Sequence, residues 1–222
     1  MNWLDVCGAP GSGKSTLCDP LWGPHELEIR DELPPANWHD FLNEITRLFL
    51  IIKPHSTFNA AIRMNNRSIR KIATVARTEA SVPYVQTALA QRGLGFGWRM
   101  NDMGVPLEEL RHYFRLMPVS IGVVVTRCPE EVVVERNHKR ETVKATAHEN
   151  RDFMVPLMKP AIEIAIDELC KRGVPVWEIS TNQDADKSRG ELQDYAAREP
   201  YNPSAGRPGD QVPAISAPPW WQ

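Results

Sequence analysis

The chain has 222 residues, of which 42% are hydrophobic and 24% are charged, and its formal net charge is −2 at pH 7. A chain of this length and composition buries a substantial core and is expected to form one main domain. The small negative charge excludes a protein that is basic throughout, so any polyanion has to bind at a local patch.

The cysteines and the apolar runs indicate where the protein works. The four cysteines, at positions 7, 18, 128 and 170, have neither CxxC nor metal-ligand spacing, which is typical of reduced cytosolic thiols. The longest purely apolar run, residues 48–52, is too short to span a bilayer, and Asp5 interrupts any signal sequence. We therefore expect a soluble, cytoplasmic protein with no membrane partner; the sequence does not specify an oligomeric state.

The first predicted elements surround a glycine-rich loop. A short buried strand over residues 3–7 leads into the loop, and a helix opens at about Ser15. The loop matches the pattern G-x-x-x-x-G-K-[ST] at every fixed position and consists of Gly8, Ala9, Pro10, Gly11, Ser12, Gly13, Lys14, Ser15 and Thr16. In such a loop backbone N–H groups surround the phosphates, Lys14 reaches the β- and γ-phosphates, and the Ser15 hydroxyl ligates Mg²⁺. The predicted cofactors are ATP and Mg²⁺.

Strands and helices alternate along the rest of the chain. Helices are predicted over residues 16–21, from about 37 to 53, 56–77, 107–117, from 129, 152–172 and 185–198, and strands over 25–30, 82–90, 121–126 and 174–179. Gly93, Gly95 and Gly97 predict a glycine-rich turn after the third strand. This alternation after a P-loop predicts an α/β fold, a three-layer α/β/α sandwich with a parallel sheet. The domain is placed at 1–198, and the proline-rich segment 199–222 is predicted to be a disordered tail.

The order of the motifs resembles the thymidylate-kinase-like and deoxynucleoside-kinase branch of the P-loop kinases. The matching segments are the loop, ELPPANW at 32–38, QRG at 91–93, the strand and helix at 123–140, and RGVPV at 172–176. The resemblance implies that Glu32 accepts the proton of the attacking hydroxyl and that a lid lies near 136–150. The chain departs from the family at Gln91, where an aspartate is usual, and the Mg²⁺ site lacks an obvious acid; Asp5, Asp31 and Asp102 are possible substitutes.

Charged side chains near these motifs suit phosphoryl transfer. Arg136 and Arg140 lie one helical turn apart, so both can point into a closing lid and bind phosphate oxygens. Glu32, or Asp31 beside it, follows a strand at the edge where parallel sheets bind ligands, and can align or deprotonate an alcohol. Arg92 is a candidate for holding substrate or phosphate. The alternatives are a solvated helix face for the arginines and a helix cap for the acid.

The segment between Glu44 and Asp102 is strongly basic. It contains one acid, Glu79, and nine cations. Five of these cations define a basic stripe at helical spacing, made of Arg63, Arg67, Arg70, Lys71 and Arg77. A stripe of this length suits a nucleic-acid backbone, whereas the alternative is an ordinary basic face that pairs with acids of the fold.

Aromatic residues offer stacking surfaces for a base that leaves a DNA duplex. The candidates are Trp38, Phe96 and Trp98. The start of the chain, the QRG segment and the small size look similar to phage kinases that act on 5-hydroxymethyluracil in DNA. The leading hypothesis is therefore an ATP-dependent kinase of 5-hydroxymethyluracil bases, with DNA as its partner. The alternatives are a kinase of free deoxynucleosides or their monophosphates, and a nucleotide-binding switch without transfer activity.

Overall fold

The computed structural model describes residues 4–18, 39–54, 84–86, 89–119, 121–143 and 154–198. Four strands lie in these ranges: β1 (Leu4–Gly8), β2 (Tyr84–Gln86), β3 (Gly122–Arg127) and β4 (Val176–Ser180). The helices are α1 (Lys14–Cys18), α2 (His39–Ile52), α3 (Leu89–Asp102), α4 (Glu109–Leu116), α5 (Glu130–Val143), α6 (Met154–Lys171) and α7 (Ala185–Ala196).

The strands form one parallel sheet in the order β2-β1-β3-β4. Leu4 pairs with Tyr84 on one side and with Gly122 on the other, and Val124 pairs with Trp177 of β4. The first strand therefore lies inside the sheet, and the loop that follows it emerges at the edge formed by the carboxyl ends of the strands, where open α/β sheets bind ligands.

Helices cover both faces of the sheet because successive side chains of β3 point to opposite sides. Val123 and Val125 join the larger core cluster, which contains the buried faces of α2, α3, α4 and α6. Val124 joins Leu4 and Val6 in a second cluster with residues of α1 and α7. The predicted three-layer α/β/α sandwich is confirmed.

The predicted glycine turn is wrong, since all three of its glycines lie inside α3. A β-carbon on Gly93 would lie 2.6 Å from the ring atoms of Tyr113 and Phe114, and one on Gly97 would lie 2.3 Å from the β-carbon of Ala161. Gly93 and Gly97 therefore allow α3 to pack closely against α4 and α6. Tertiary packing has therefore overridden the weak helix propensity of glycine.

The third predicted strand is shorter than expected. It covers Tyr84–Gln86, because α3 already begins at Leu89. The predicted strand at 25–30, the predicted helix at 56–77 and the proline-rich tail lie outside the described residues. Within the described ranges, no helix combines the length and the apolar character needed to cross a membrane.

Candidate functional site

The glycine-rich loop connects β1 to α1 and bends sharply at two positions. Gly11 and Gly13 have φ angles of 84° and 87°, which favour glycine because it has no β-carbon. The ammonium group of Lys14 donates hydrogen bonds of 2.8 Å to the backbone oxygens of both Gly8 and Ala9. The cation is thus held against the carbonyl oxygens at the start of the loop.

The sheet and the segment after β4 support the loop from below. The hydroxyl groups of Ser12 and Thr126 lie 2.6 Å apart, and the Thr126 hydroxyl donates its proton to the backbone oxygen of Cys7 at 3.1 Å. The hydroxyl of Thr181 donates to the backbone oxygen of Ser12 at 2.6 Å. These short bonds fix the middle of the loop before any ligand binds, so little ordering entropy is lost on binding.

The start of α3 is bonded to β1 and to the loop. The side-chain oxygen of Gln91 accepts a hydrogen bond of 2.9 Å from the backbone N–H of Gly8, and Asp5 accepts one of 2.8 Å from the backbone N–H of Ala90. Gln91 replaces the aspartate that the family resemblance implies, and its amide orients the loop. Arg92, the next residue, is half-buried on the same turn of α3.

The acid for a metal ion is not found among the described candidates. Asp5 is 2% exposed and its carboxylate faces the start of α3, whereas Asp102 is exposed at the last position of that helix. Within the described ranges, no three His, Cys, Asp or Glu residues cluster in a way that suits a metal ion. Ser15 is therefore the metal ligand that these residues offer, and Asp31 lies outside them.

Burial of Asp5 makes the stability of the protein depend on pH. Burial raises the pKa of its carboxyl group from 3.8 to about 7, although the backbone N–H groups of Ala90 and Leu89 lower it. Between these two values the folded state holds a proton that the unfolded state has released. The contribution of this protonated carboxyl group to the free energy of unfolding is therefore lost as the pH rises from about 4 through 7. The slope for one such group is at most about 1.4 kcal/mol per pH unit.

We expect the substitution Asp5→Asn to remove this dependence. We compare the free energy of unfolding of the unsubstituted protein with that of the variant. The difference, unsubstituted minus variant, should be smaller at pH 8 than at pH 5, because asparagine does not titrate. Urea unfolding at both values measures the difference, and the subtraction cancels every other titrating group. Parallel stability curves would contradict the assignment.

A cleft of about 370 Å³ opens beside the loop. Its walls come from the loop, the end of α1, one face of α5 and the segment after β4, and they include Gly13, Leu17, Arg136, Thr181 and Gln183. The guanidinium group of Arg136 donates to the backbone oxygen of Thr181 at 3.0 Å and to the sulfur of Cys128 at 3.4 Å. Arg136 is therefore fixed in the wall of the cleft.

Asn137 is a contact of the loop that the sequence did not reveal. It is fully buried, and its side-chain N–H donates to the backbone oxygen of Pro10 at 3.3 Å. Its side-chain oxygen, which has no hydrogen-bond partner among the described residues, lies 2.7 Å from where a β-carbon of Gly11 would be. The spacing in the sequence could have indicated this contact, because Asn137 follows the buried Val133 by four residues and so lies on the same inner face of α5.

The other predicted site residues divide into those described and those outside the described ranges. Arg140 lies in α5, one turn after Arg136. Trp98 packs against the larger core with the Arg99 guanidinium 5.2 Å from its ring, and its stacking role stays a prediction. Phe96 is buried in that core, so the prediction that it stacks on a base is wrong.

The remaining predicted site residues lie outside the described ranges. They are Asp31, Glu32, Trp38, Arg63, Arg67, Arg70 and Lys71.

Comparison with known proteins places this geometry in a known fold. No family model matches the chain, and no curated protein matches its sequence. The structure of deoxyadenosine kinase from M. mycoides with bound dATP matches with a TM-score of 0.52 and 14% identity, over 87% of this chain and 98% of that one. The same enzyme with bound dCTP matches with a TM-score of 0.50 and 13% identity, over 87% and 97%.

The chain has the P-loop nucleoside kinase fold. The nucleoside kinase fold accounts for the parallel sheet, the loop after β1 and the helices on both faces. At 13–14% identity the likeness establishes the fold alone, and the activity has to be argued from the site.

Proposed function

We propose that this protein is a kinase that transfers the γ-phosphate of ATP to a hydroxyl group of a free deoxynucleoside or deoxynucleoside monophosphate. The observation that carries the proposal is the complete phosphate loop, with Lys14 held at its start, in a nucleoside kinase fold. Free deoxynucleosides are the preferred acceptors because the matching structures are those of a deoxyadenosine kinase.

The described residues supply part of what phosphoryl transfer requires, and the remaining roles are proposed. The reaction needs charge neutralisation around the γ-phosphate and a positioned nucleophile, and it asks for little covalent work from the protein. Lys14 supplies a positive charge at the loop, and Arg136 supplies a second in the adjoining cleft. Arg92 is proposed to bind the acceptor or its phosphate, and Glu32, or Asp31 beside it, to take the proton of the attacking hydroxyl.

The described donors suit a magnesium ion that is held mainly by the substrate. Ser15 follows Lys14 in the first turn of α1 and offers a hydroxyl ligand. Mg²⁺ usually keeps several waters and binds phosphate oxygens together with one or two protein ligands. Bound there, the ion would neutralise charge on the phosphates. The residues of this chain would hold the triphosphate through the loop N–H groups and Lys14.

A second candidate acceptor is 5-hydroxymethyluracil in DNA. The observation that favours it is the excess of cations between Glu44 and Asp102, which suits a polyanion. The structure removes one cation from this count, since the Arg47 guanidinium lies 2.7 Å from a carboxylate oxygen of Glu44 and 2.6 Å from one of Glu109. The basic stripe itself lies outside the described residues.

Labelled ATP with four acceptors separates these functions. The acceptors are a mixture of deoxynucleosides, their monophosphates, free 5-hydroxymethyldeoxyuridine, and DNA that contains 5-hydroxymethyluracil. We expect label on the free deoxynucleosides or monophosphates. Label on the DNA alone would replace the main proposal with the second candidate, and tight ATP binding without transfer to any acceptor would indicate a nucleotide-binding switch.

Charge reversal in the basic stripe tests the DNA candidate independently. If DNA is the acceptor, Arg67→Glu should weaken DNA binding and reduce its salt dependence, because a phosphate contact releases counterions. Lys159→Glu is the matched control, because Lys159 is exposed on α6 and its substitution makes the same change in net charge. Equal DNA binding by the two variants would remove the basic stripe as an argument for a polymer.

A further inference from the structure

The cleft beside the phosphate loop continues past α1 to the segment that follows β4. The residues that line it include Leu17 at the end of α1, and Gln183 and Ala185 after β4. A triphosphate bound by the loop has its nucleoside nearby, and the cleft that Gly11 and Gly13 line is also lined by Gln183. Gln183 is thus a polar side chain in the wall where a base would lie.

The orientation of the Gln183 amide is set by its neighbour on α7. Its side-chain nitrogen donates a hydrogen bond of 3.1 Å to a carboxylate oxygen of Glu191. A carboxylate accepts hydrogen bonds and does not donate them, so the NH₂ group has to face Glu191. The reversed amide would bring two acceptor oxygens together. The Gln183 oxygen is therefore left to accept a hydrogen bond from another group.

The backbone around Gln183 is held firmly enough to make this orientation matter. The Asp184 carboxylate accepts hydrogen bonds from the backbone N–H groups of Asp186 and Lys187 at 2.9 and 3.0 Å, which caps α7. The Ser188 hydroxyl donates to the backbone oxygen of Ser180, the last residue of β4, at 3.0 Å. Both ends of the segment are thus anchored.

We infer that Gln183, oriented by Glu191, makes the site prefer a nucleoside triphosphate whose base carries an exocyclic amino group. The 6-amino group of adenine donates to the Gln183 oxygen, whereas the 6-oxo group of guanine places an acceptor against an acceptor. The same contrast applies to the 4-amino group of cytosine and the 4-oxo group of uracil. This inference rests on the proposed function, and it adds the residue pair that selects the donor base.

Arg136 does not supply this selectivity. Arg136 lines the same cleft, and its guanidinium is held by the backbone oxygen of Thr181 and by the Cys128 sulfur. The proposed function assigns this guanidinium to the phosphates of the same nucleotide, so it does not contact the edge of the base. Base selection is therefore assigned to Gln183, which offers a single acceptor.

Binding measurements without an acceptor substrate test the inference. Dissociation constants for ATP, GTP, CTP and UTP with Mg²⁺ are measured by calorimetry on the full chain and on Gln183→Ala, Glu191→Gln and Asp194→Asn. Asp194 is exposed on the same helix, so its substitution makes the same change in charge as Glu191→Gln without touching Gln183. We expect the unsubstituted protein to bind ATP about tenfold more tightly than GTP, and CTP more tightly than UTP, since an unpaired acceptor is costly.

The two test variants should reduce the ATP preference by different routes. Gln183→Ala should weaken ATP binding, because its hydrogen bond is lost. Glu191→Gln should strengthen GTP binding, because the Gln183 amide can then turn its NH₂ group toward the base. Asp194→Asn should keep the full preference.

Equal ATP and GTP binding by the unsubstituted protein, or an unchanged preference in both variants, would overturn the inference. Selective binding without transfer to any acceptor would overturn only the proposed function. Transfer from ATP and GTP with equal efficiency would overturn only the base selection, and binding of neither nucleotide would overturn both.

Discussion

Lys14→Met is expected to reduce the rate of phosphoryl transfer by at least about 100-fold, because it removes a positive charge that stabilises the transferring phosphate. Methionine has a similar length but no charge. The substitution also removes the hydrogen bonds of 2.8 Å that Lys14 donates to the backbone oxygens of Gly8 and Ala9, so the loop loses part of its order. We expect kcat to fall more than the affinity for ATP.

The matched control for this experiment is Lys159→Met. Lys159 carries the same charge, but it is exposed on α6 and does not belong to the residues that line the cleft. The control should therefore stay within a few-fold of the unsubstituted rate. Steady-state kinetics with ATP and the accepted deoxynucleoside measures the rates, and circular dichroism confirms that both variants are folded. Similar rates for the two variants would show that Lys14 has no special role.

Gly97→Leu is expected to destabilise the protein by about 3 kcal/mol or more, because it overpacks the contact between α3 and α6. A β-carbon at this position would lie 2.3 Å from that of Ala161 and 2.8 Å from a methyl group of Leu110. The helices have to separate to admit the side chain. The loss is a large part of the 5–15 kcal/mol that is typical of the stability of a whole domain.

Gly95→Leu provides the control on the same helix. A β-carbon on Gly95 would meet nothing within 4 Å, and leucine is a better helix former than glycine by about 0.8 kcal/mol. This variant should therefore keep or raise the stability. Urea unfolding of both variants measures the contrast, and comparable stabilities would contradict the close packing that replaces the predicted turn.

The glycines of α3 show why part of the fold could not be predicted from the sequence. Three glycines at alternate positions favour a turn on local grounds, because glycine weakens a helix. Whether a glycine ends a helix or lets it pack closely depends on what lies opposite, here the rings of Tyr113 and Phe114. Those partners are some 20 residues away along the chain, so local propensity could not reveal them.

The candidate site likewise contains features that could be predicted from the sequence and features that could not. The phosphate loop and Arg136 could be predicted, because consecutive residues and helical spacing define them. The hydrogen bonds that the N–H of Gly8 donates to Gln91 and the N–H of Ala90 donates to Asp5 join residues that are 83 and 85 positions apart. Gln91 could be recognised as a departure from the family pattern, but its hydrogen bond to the loop could not.

The sequence by itself determined the phosphate loop, the alternation of strands and helices, and hence the three-layer sandwich, since each depends on patterns within a few residues. The tertiary structure decided how those elements serve the site. It placed α3 against the loop through Gln91, buried Asn137 beneath it, and brought Gln183 into the wall of the cleft. The reason is physical: hydrogen-bond geometry and close packing depend on distances between residues that are far apart in the chain.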